Sequence, residues 1–236
     1  MFPRFLKFFL LSALLAVFVA GCSKNDTSPT EPEGSAATIP TISFKGPNTN
    51  SQDVNAVMVK NYVSAMNSYS LIFTPLLALQ GSQSGNTTTW TYTDRTLTVK
   101  FSATRQSDGS YSWKMVLNGV DPDDQTVYNN WTALEGTTSA DGKNGNWKIY
   151  EENTTVLLAE YIWTTNNNVL TGTLKEYMGS ALEYQSIVVN NPDNSGELRI
   201  YTGSAMTYKA VWQANGSGQW WTYDLNGTQT GTGNWT

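Results

Sequence analysis

The sequence predicts an α+β fold in which one N-terminal amphipathic helix packs on a long, strongly curved antiparallel β meander that curls strongly or approaches a barrel. The sheet is predicted because short runs of Thr, Val, Tyr and Trp follow one another from residue 87 to 236, separated by Gly-Asn, Asp-Gly and Gly-Ser turns. The helix is predicted because apolar residues recur every three or four positions between residues 51 and 80. About eleven or twelve strands are many for a flat sheet, so strong curvature is expected.

Residues 1–21 have the features of a secretory leader. Arg4 and Lys7 precede an uninterrupted apolar run from Phe8 to Ala20, which reaches only about 20 Å as a helix and is too short to span a bilayer. The segment Val19-Ala20-Gly21-Cys22 resembles the lipobox of bacterial lipoproteins. That resemblance implies cleavage before Cys22 and attachment of lipid to its sulfur and new amino group, and several acyl chains would anchor the protein stably. The alternatives are a plain signal peptide or an incidental cysteine.

The resemblance also bears on location and domain limits. Ser23 stands where an aspartate would retain an enterobacterial lipoprotein at the inner membrane, so the outer membrane is the more expected site. Residues 22–37 are rich in Ser, Thr, Pro and Glu and are predicted to form a flexible tether. Residues 38–236 are predicted to form one domain, with a short first strand at 39–44. Removing residues 1–21 removes two bases and no acid, which leaves 12 bases and 19 acids and a net charge of −7.

The predicted helix covers residues 51–80. Asn50 or Ser51 can cap its start, Asp53 lies in its first turn, and Pro75 predicts a kink or a restart. The expected buried stripe comprises Val54, Met58, Tyr62, Ala65, Met66, Tyr69, Phe73, Leu76 and Leu77, widened by Val57, Val63 and Ile72.

Twelve strands are predicted after the helix. They are 88–93, 97–104, 111–118, 127–134, 147–150, 156–164, 169–177, 182–189, 198–201, 206–212, 220–225 and 228–235. An internal repeat supports the meander, because residues 172–184 align without gaps on residues 196–208, an offset of 24. The opening Gly-x-Leu/Trp-x-x-Tyr recurs at residues 145–150 and 218–223, which indicates one β-hairpin per unit.

This opening resembles the MORN-type hairpin repeats of many bacterial envelope proteins over roughly residues 142–236. The resemblance implies scaffolding or interaction and carries over no catalytic residue. Several units lack the Gly-Gly spacing of that family.

The composition excludes several classes of chemistry. The chain has no histidine and one cysteine, which excludes Ser-His-Asp and Cys-His catalysis, histidine or thiolate metal sites and an intramolecular disulfide. A pI near 4.7 argues against nucleic acid as a partner. We therefore expect no enzyme activity, no cofactor and no metal.

Three acidic candidates remain. A two-residue turn at Gly179-Ser180 would place Glu176 opposite Glu183, a pair that a hydrolase could use, although the repeat has Ile200 and Thr207 there. Residues 191–196 copy the first half of an EF-hand loop but also read as a hairpin turn. The acidic run at residues 121–124 is expected to be a solvated loop.

The aromatic residues are the candidate ligand-binding residues: Trp163, Trp212, Trp220, Trp221 and Tyr223. Adjacent residues of a strand point to opposite faces, so either both faces of the sheet are covered or an aromatic face stays open. The predicted function is that of a lipid-anchored, non-enzymatic binding or scaffold module. The alternatives are a carrier for a lipid or other hydrophobic ligand, with a cavity between helix and sheet, and a glycan-binding module with exposed rings. The expected partners are the membrane, through Cys22, and a hydrophobic ligand, a glycan or an envelope protein.

Overall fold

A computed structural model describes residues 37, 40–71 and 79–236, and the prediction of an α+β fold is confirmed. Within these residues one helix, α1 (Val54–Leu71), precedes a sheet of 13 strands. The strands are β1 (Ser82–Ser84), β2 (Thr87–Asp94), β3 (Leu97–Arg105), β4 (Tyr111–Val120), β5 (Val127–Thr138), β6 (Gly145–Tyr150), β7 (Leu157–Asn166), β8 (Val169–Met178), β9 (Ala181–Asn190), β10 (Gly196–Thr202), β11 (Ala205–Trp212), β12 (Gly218–Tyr223) and β13 (Gln229–Trp235).

The sheet is a pure antiparallel meander. Its spatial order is the chain order from β1 to β13, and it is curved but not closed into a barrel. All twelve predicted strands are present, whereas β1 was not predicted because Ser82–Ser84 contains only polar residues, all exposed. One face, called here the inner face, carries the core, with fully buried residues such as Phe101, Trp113, Tyr161 and Leu198. The opposite, outer face is mixed, with charged residues such as Lys114, Glu160 and Lys175 beside half-buried apolar residues such as Ile162 and Ile187.

Helix α1 lies on the inner face, but its buried stripe differs from the predicted one. The buried residues are Ala56, Val59, Val63 and Met66, spaced by three, four and three positions. Val54, Val57 and Ala65, which were predicted to be buried, are exposed. Because many residues of α1 are weakly apolar, the sequence pattern did not define the angle of this stripe. The predicted kink at Pro75 and the stripe residues 72, 73, 76 and 77 lie outside the described residues.

The start of α1 is capped by Asp53 and not by Asn50 or Ser51. Asp53 Oδ1 accepts hydrogen bonds from the backbone N–H groups of Asn55 (2.8 Å) and Ala56 (3.4 Å), so the helix begins at Val54.

Residues 40–50, called here the strap, cross the ends of the strands. The predicted strand at 39–44 is wrong for the described residues 40–44, which form no strand. The alternation of apolar and polar residues in this segment nevertheless corresponds to alternating burial, because Ile42 and Phe44 are buried while Thr41 and Ser43 are exposed. The strap does not pair as a strand of the sheet.

Two asparagine side chains hold the strap in place. Asn67 of α1 accepts a hydrogen bond from the Phe44 N–H (2.7 Å) and donates one to the Phe44 carbonyl (2.9 Å). Asn190 of β9 does the same for Lys45, at 2.6 and 2.8 Å. These amides satisfy the backbone groups that a neighbouring strand would otherwise satisfy.

Candidate functional site

The inner face contains a repeated seat in which an aromatic ring covers a glycine. A Cβ added to Gly145 would lie 2.3 Å from Trp163, and one added to Gly196 would lie 2.3 Å from Trp212. Each indole N–H donates to a turn carbonyl, at Gly142 (3.0 Å) and at Asn194 (3.1 Å) respectively. The aromatic ring, the missing Cβ and the turn carbonyl therefore form one packing unit.

Trp163 and Trp212 are core residues and not exposed ligand contacts. Their relative exposures are 1% and 0%, which corrects their prediction as candidate ligand-binding residues. Sequence alone did not separate buried from exposed tryptophans, but the glycine that opens each repeat was the available signal, since it is the residue that the ring covers.

The same seat recurs in the repeat that begins at Gly218, where Trp235 covers the glycine and donates to the Gly216 carbonyl at 2.8 Å. In the repeat that begins at Gly172, the equivalent position across the sheet is occupied by Val188. Phe44 of the strap covers that glycine instead, because a Cβ on Gly172 would lie 2.4 Å from Phe44 Cζ. The strap thus docks at the repeat whose own strand lacks the tryptophan.

The other three candidate aromatics lie at the C-terminal side of the sheet and are partly exposed. Trp220 is on the inner face, opposite Ala210 and Gly233. Trp221 is on the outer face, where the Lys209 ammonium lies 5.6 Å from its ring centroid. Tyr223 follows a register shift in β12. Trp220 and Trp221 therefore do not form a single aromatic platform.

The closing tyrosine of each repeat marks a β-bulge or irregularity. Register shifts occur immediately before Tyr150, Tyr177, Tyr201 and Tyr223, which are the sixth residues of the four Gly-x-Leu/Trp-x-x-Tyr units. The repeat detected in the sequence therefore has a structural counterpart in pairing and register.

The shift before Tyr177 changes the predicted pairing of two glutamates. Met178 pairs with Ala181 as expected, but Glu176 pairs with Tyr184 and not with Glu183. Glu176 is on the inner face with Leu174 and is half-buried, while Glu183 is the residue without a cross-strand partner at the register shift. Burial, followed by the charge of Glu183, raises the pKa of Glu176.

Several tyrosines lie near Glu176, because Tyr184 is its cross-strand partner and Tyr161 is opposite Leu174, two residues before it on the same face. The charge of Glu176 raises the pKa of Tyr62 and of Tyr69 of α1, in both cases after the larger effect of burial. Tyr69 stacks on Tyr161 with ring centroids 5.8 Å apart and an interplanar angle of 19°. We call Glu176, Tyr62, Tyr69, Tyr161 and Tyr184 the tyrosine–glutamate cluster.

The outer face carries a row of alternating charges. Lys114, Glu135, Lys148, Glu160 and Lys175 occupy directly opposed positions on five consecutive strands, β4 to β8. The Lys175 ammonium lies 3.1 Å from Glu160. Such cross-strand pairs stabilise the sheet by about 0.2–1 kcal/mol each.

The two acidic loops behave as turns. In residues 191–196, Asp193 accepts hydrogen bonds from the Ser195 hydroxyl (2.7 Å) and N–H (2.9 Å), which lower the pKa of Asp193. In residues 121–124, Asp121 and Asp124 cap nearby N–H groups, and Asp123 pairs with Arg95 at 3.2 Å. Across the described residues, no group of three or more acidic or cysteine side chains has an arrangement that could hold a metal ion.

No protein-family model matches the chain, and no curated protein matches it significantly. Among the residues that the structure describes, no helix combines the length and the apolar character needed to cross a membrane.

Proposed function

We propose that the chain is a lipid-anchored protein of the bacterial cell envelope, attached through Cys22, that acts as a non-enzymatic binding or scaffold module. The leader and the lipobox resemblance support the anchor, and the MORN-like repeats support the interaction role. The structural observation that carries the proposal is the position of the strap, because it determines where the tether meets the domain.

The strap runs along one end of the sheet. Pro40 lies beside Gly142 in the β5–β6 turn, Lys45 is bound to Asn190 at the end of β9, and Asn48 lies against Gly216 in the β11–β12 turn. We call this the strap end; its turns are 85–86, 106–110, 139–144, 167–168, 191–195 and 213–217. A lipid on Cys22 would therefore hold the domain from this end.

The opposite end of the sheet carries most of the negative charge, and we call it the acidic end. Its turns are 95–96, 121–126, 151–156, 179–180, 203–204 and 224–228. Within two residues of these turns one base, Arg95, faces seven acids: Asp94, Asp121, Asp123, Asp124, Glu151, Glu152 and Asp224. By the same measure the strap end carries four acids, Asp108, Asp141, Asp193 and Glu197, and two bases, Arg105 and Lys143, beside Lys45 of the strap, so it is much less negative.

This difference in charge between the two ends fits a domain that is anchored to the membrane at its strap end. A flexible tether of about fifteen residues reaches roughly 20 Å, and strands of about ten residues are roughly 33 Å long. The acidic end would then stand about 50 Å from an anionic membrane surface, where it is presented to the surroundings of the protein.

The binding-module proposal is preferred over the two alternatives on packing grounds. Phe44 and Met66 close the space above Gly172, so the interface between helix and sheet is filled there and not open for a hydrophobic ligand. Trp163 and Trp212 are buried in the core, so they are not available to stack on a glycan. The two glutamates that a hydrolase was predicted to use are not cross-strand partners, because Glu176 pairs with Tyr184.

Two matched cysteine variants test the orientation. Ser107 and Ser204 are exposed turn residues, at the strap end and at the acidic end respectively. The lipidated protein is reconstituted in vesicles, and energy transfer is measured from a dye on Ser107→Cys or Ser204→Cys to an acceptor on lipid headgroups. Higher transfer from position 107 supports the proposal, and higher or equal transfer from position 204 refutes the orientation. Loss of lipid labelling must follow Cys22→Ala, or the anchor itself is refuted.

A further inference from the structure

The tyrosine–glutamate cluster places a carboxylate among aromatic rings near the acidic end of the inner face. Tyr62 and Tyr69 are seven residues apart on α1 and therefore point to the same side of the helix. Tyr184 is the direct neighbour of Glu176 across the β8–β9 pair and is 39% exposed. The cluster thus has walls from the helix and from the sheet, and it is accessible at Tyr184.

Glu176 lacks a counter-ion in the described part of the chain. It forms neither a salt bridge nor a hydrogen bond there, and its neighbour Lys175 is on the outer face, paired with Glu160. The charge that acts on Glu176 is that of a second carboxylate, Glu183, which opposes ionisation of Glu176. A half-buried carboxylate in this setting is stabilised by a positive charge brought to it from outside.

The rings around Glu176 define what kind of cation fits. Tyr161 has no measurable exposure, and its hydroxyl has no hydrogen-bond partner among the described residues. It supports the ring of Tyr69, with which it stacks. Aromatic faces attract weakly hydrated cations, because such a cation gives up little water and gains both the ring quadrupole and the apolar contact. A small, strongly hydrated metal ion would need several oxygen ligands, which this cluster does not offer.

We propose that the tyrosine–glutamate cluster binds an organic ammonium group, with Glu176 as the counter-ion and Tyr62, Tyr69 and Tyr184 as the aromatic wall. This inference rests on the proposed function as a binding module and names the chemical class of its ligand. The ammonium group can be free or part of a larger molecule, since the open side at Tyr184 leaves room for a substituent.

The test compares choline with 3,3-dimethyl-1-butanol, in which carbon replaces the charged nitrogen at the same size. Binding of each to the full-length protein in dodecyl maltoside is measured by saturation-transfer NMR and calorimetry at constant ionic strength. Choline is expected to bind at least tenfold more tightly than the neutral isostere. Equal binding of the two, or no binding of choline, overturns the proposal without using any variant.

Variants locate the site. Glu176→Gln should lower choline affinity at least tenfold and leave binding of the isostere unchanged, while Tyr62→Phe, which keeps the ring, should bind choline within about threefold of the parent. Glu152→Gln is the matched control, because Glu152 accepts a hydrogen bond from Tyr128 elsewhere and should not affect binding. Choline affinity that survives Glu176→Gln in a protein of unchanged melting temperature refutes the assignment. The lipid-labelling test does not involve Glu176, so the anchor and this site can fail separately.

Discussion

Gly172→Ala tests whether the docking of the strap depends on the missing side chain at this glycine. An alanine Cβ at position 172 would lie 2.4 Å from Phe44 Cζ, 2.9 Å from Phe44 Cε2 and 3.1 Å from Met66 Cε. Ordinary contact begins at 3.4 Å, so the ring would have to retreat by about 1 Å. Phe44 is 3% exposed and its backbone is held by Asn67, so we expect the ring to have little room to move.

The expected cost is that of overpacking a closed core, about 1–3 kcal/mol in the free energy of unfolding. For a domain of this size, each kcal/mol lowers the melting temperature by about 2–4 °C. Chemical and thermal denaturation followed by circular dichroism would measure both quantities.

Gly46→Ala is the matched control on the strap itself. A Cβ at Gly46 would make only ordinary contacts, at 3.6–3.7 Å, and its φ is not in the left-handed region. That variant should stay within about 0.5 kcal/mol of the parent or become slightly more stable. Phe44→Leu removes the atom that clashes and should offset part of the cost of Gly172→Ala in a double-mutant cycle. The reasoning is refuted if Gly172→Ala is as stable as Gly46→Ala, or if the two substitutions are additive.

Three further predictions concern the sheet. Trp212→Phe removes the hydrogen bond to the Asn194 carbonyl and part of a buried ring, so the free energy of unfolding measured in urea should fall by about 1–3 kcal/mol. Trp221 is partly exposed, so Trp221→Phe should lower it by about 1 kcal/mol or less. Equal costs would contradict the assignment of Trp212 to the core. Burial and the hydrogen bond to Glu135 raise the pKa of Tyr150 to about 12. The stability that the hydroxyl proton confers should therefore be present below about pH 10 and be lost as the pH rises through about 12. An alkaline stability profile that is unchanged by Tyr150→Phe would argue against this. Glu160→Lys places a lysine between Lys148 and Lys175 on the neighbouring strands of the outer face and should cost about 1–2 kcal/mol in the free energy of unfolding. The cost should be smaller in 1 M NaCl because salt screens the repulsion, and a cost that does not depend on salt would indicate another cause.

Local signals in the sequence predicted most of the sheet. Alternating Thr, Tyr and Trp with Gly-containing turns were sufficient to locate twelve strands, and the offset of 24 residues identified the hairpin unit. Strand β1 was missed because its three residues are polar. Local pattern suffices here because every strand pairs with its chain neighbours, so pairing follows from the order of the turns alone.

The contacts between distant segments were not predictable in the same way. The alternation of Ile42 and Phe44 suggested a strand, but the strap obtains its hydrogen bonds from side chains 23 and 145 residues away, Asn67 and Asn190. Single-residue register shifts were also not predictable from the pattern. Because of the shift before Tyr177, the cross-strand partner of Glu176 is Tyr184 and not Glu183. The tyrosine–glutamate cluster therefore depended on a bulge that the repeat contains but that its spacing does not reveal.

The mass of the N-terminal peptide of the protein purified from bacterial membranes tests the central proposal most directly. The proposal predicts a chain that begins at Cys22 and carries a diacylglycerol on the sulfur and an acyl chain on the amino group. A chain that begins elsewhere, or one in which Cys22 carries a free thiol, would contradict it.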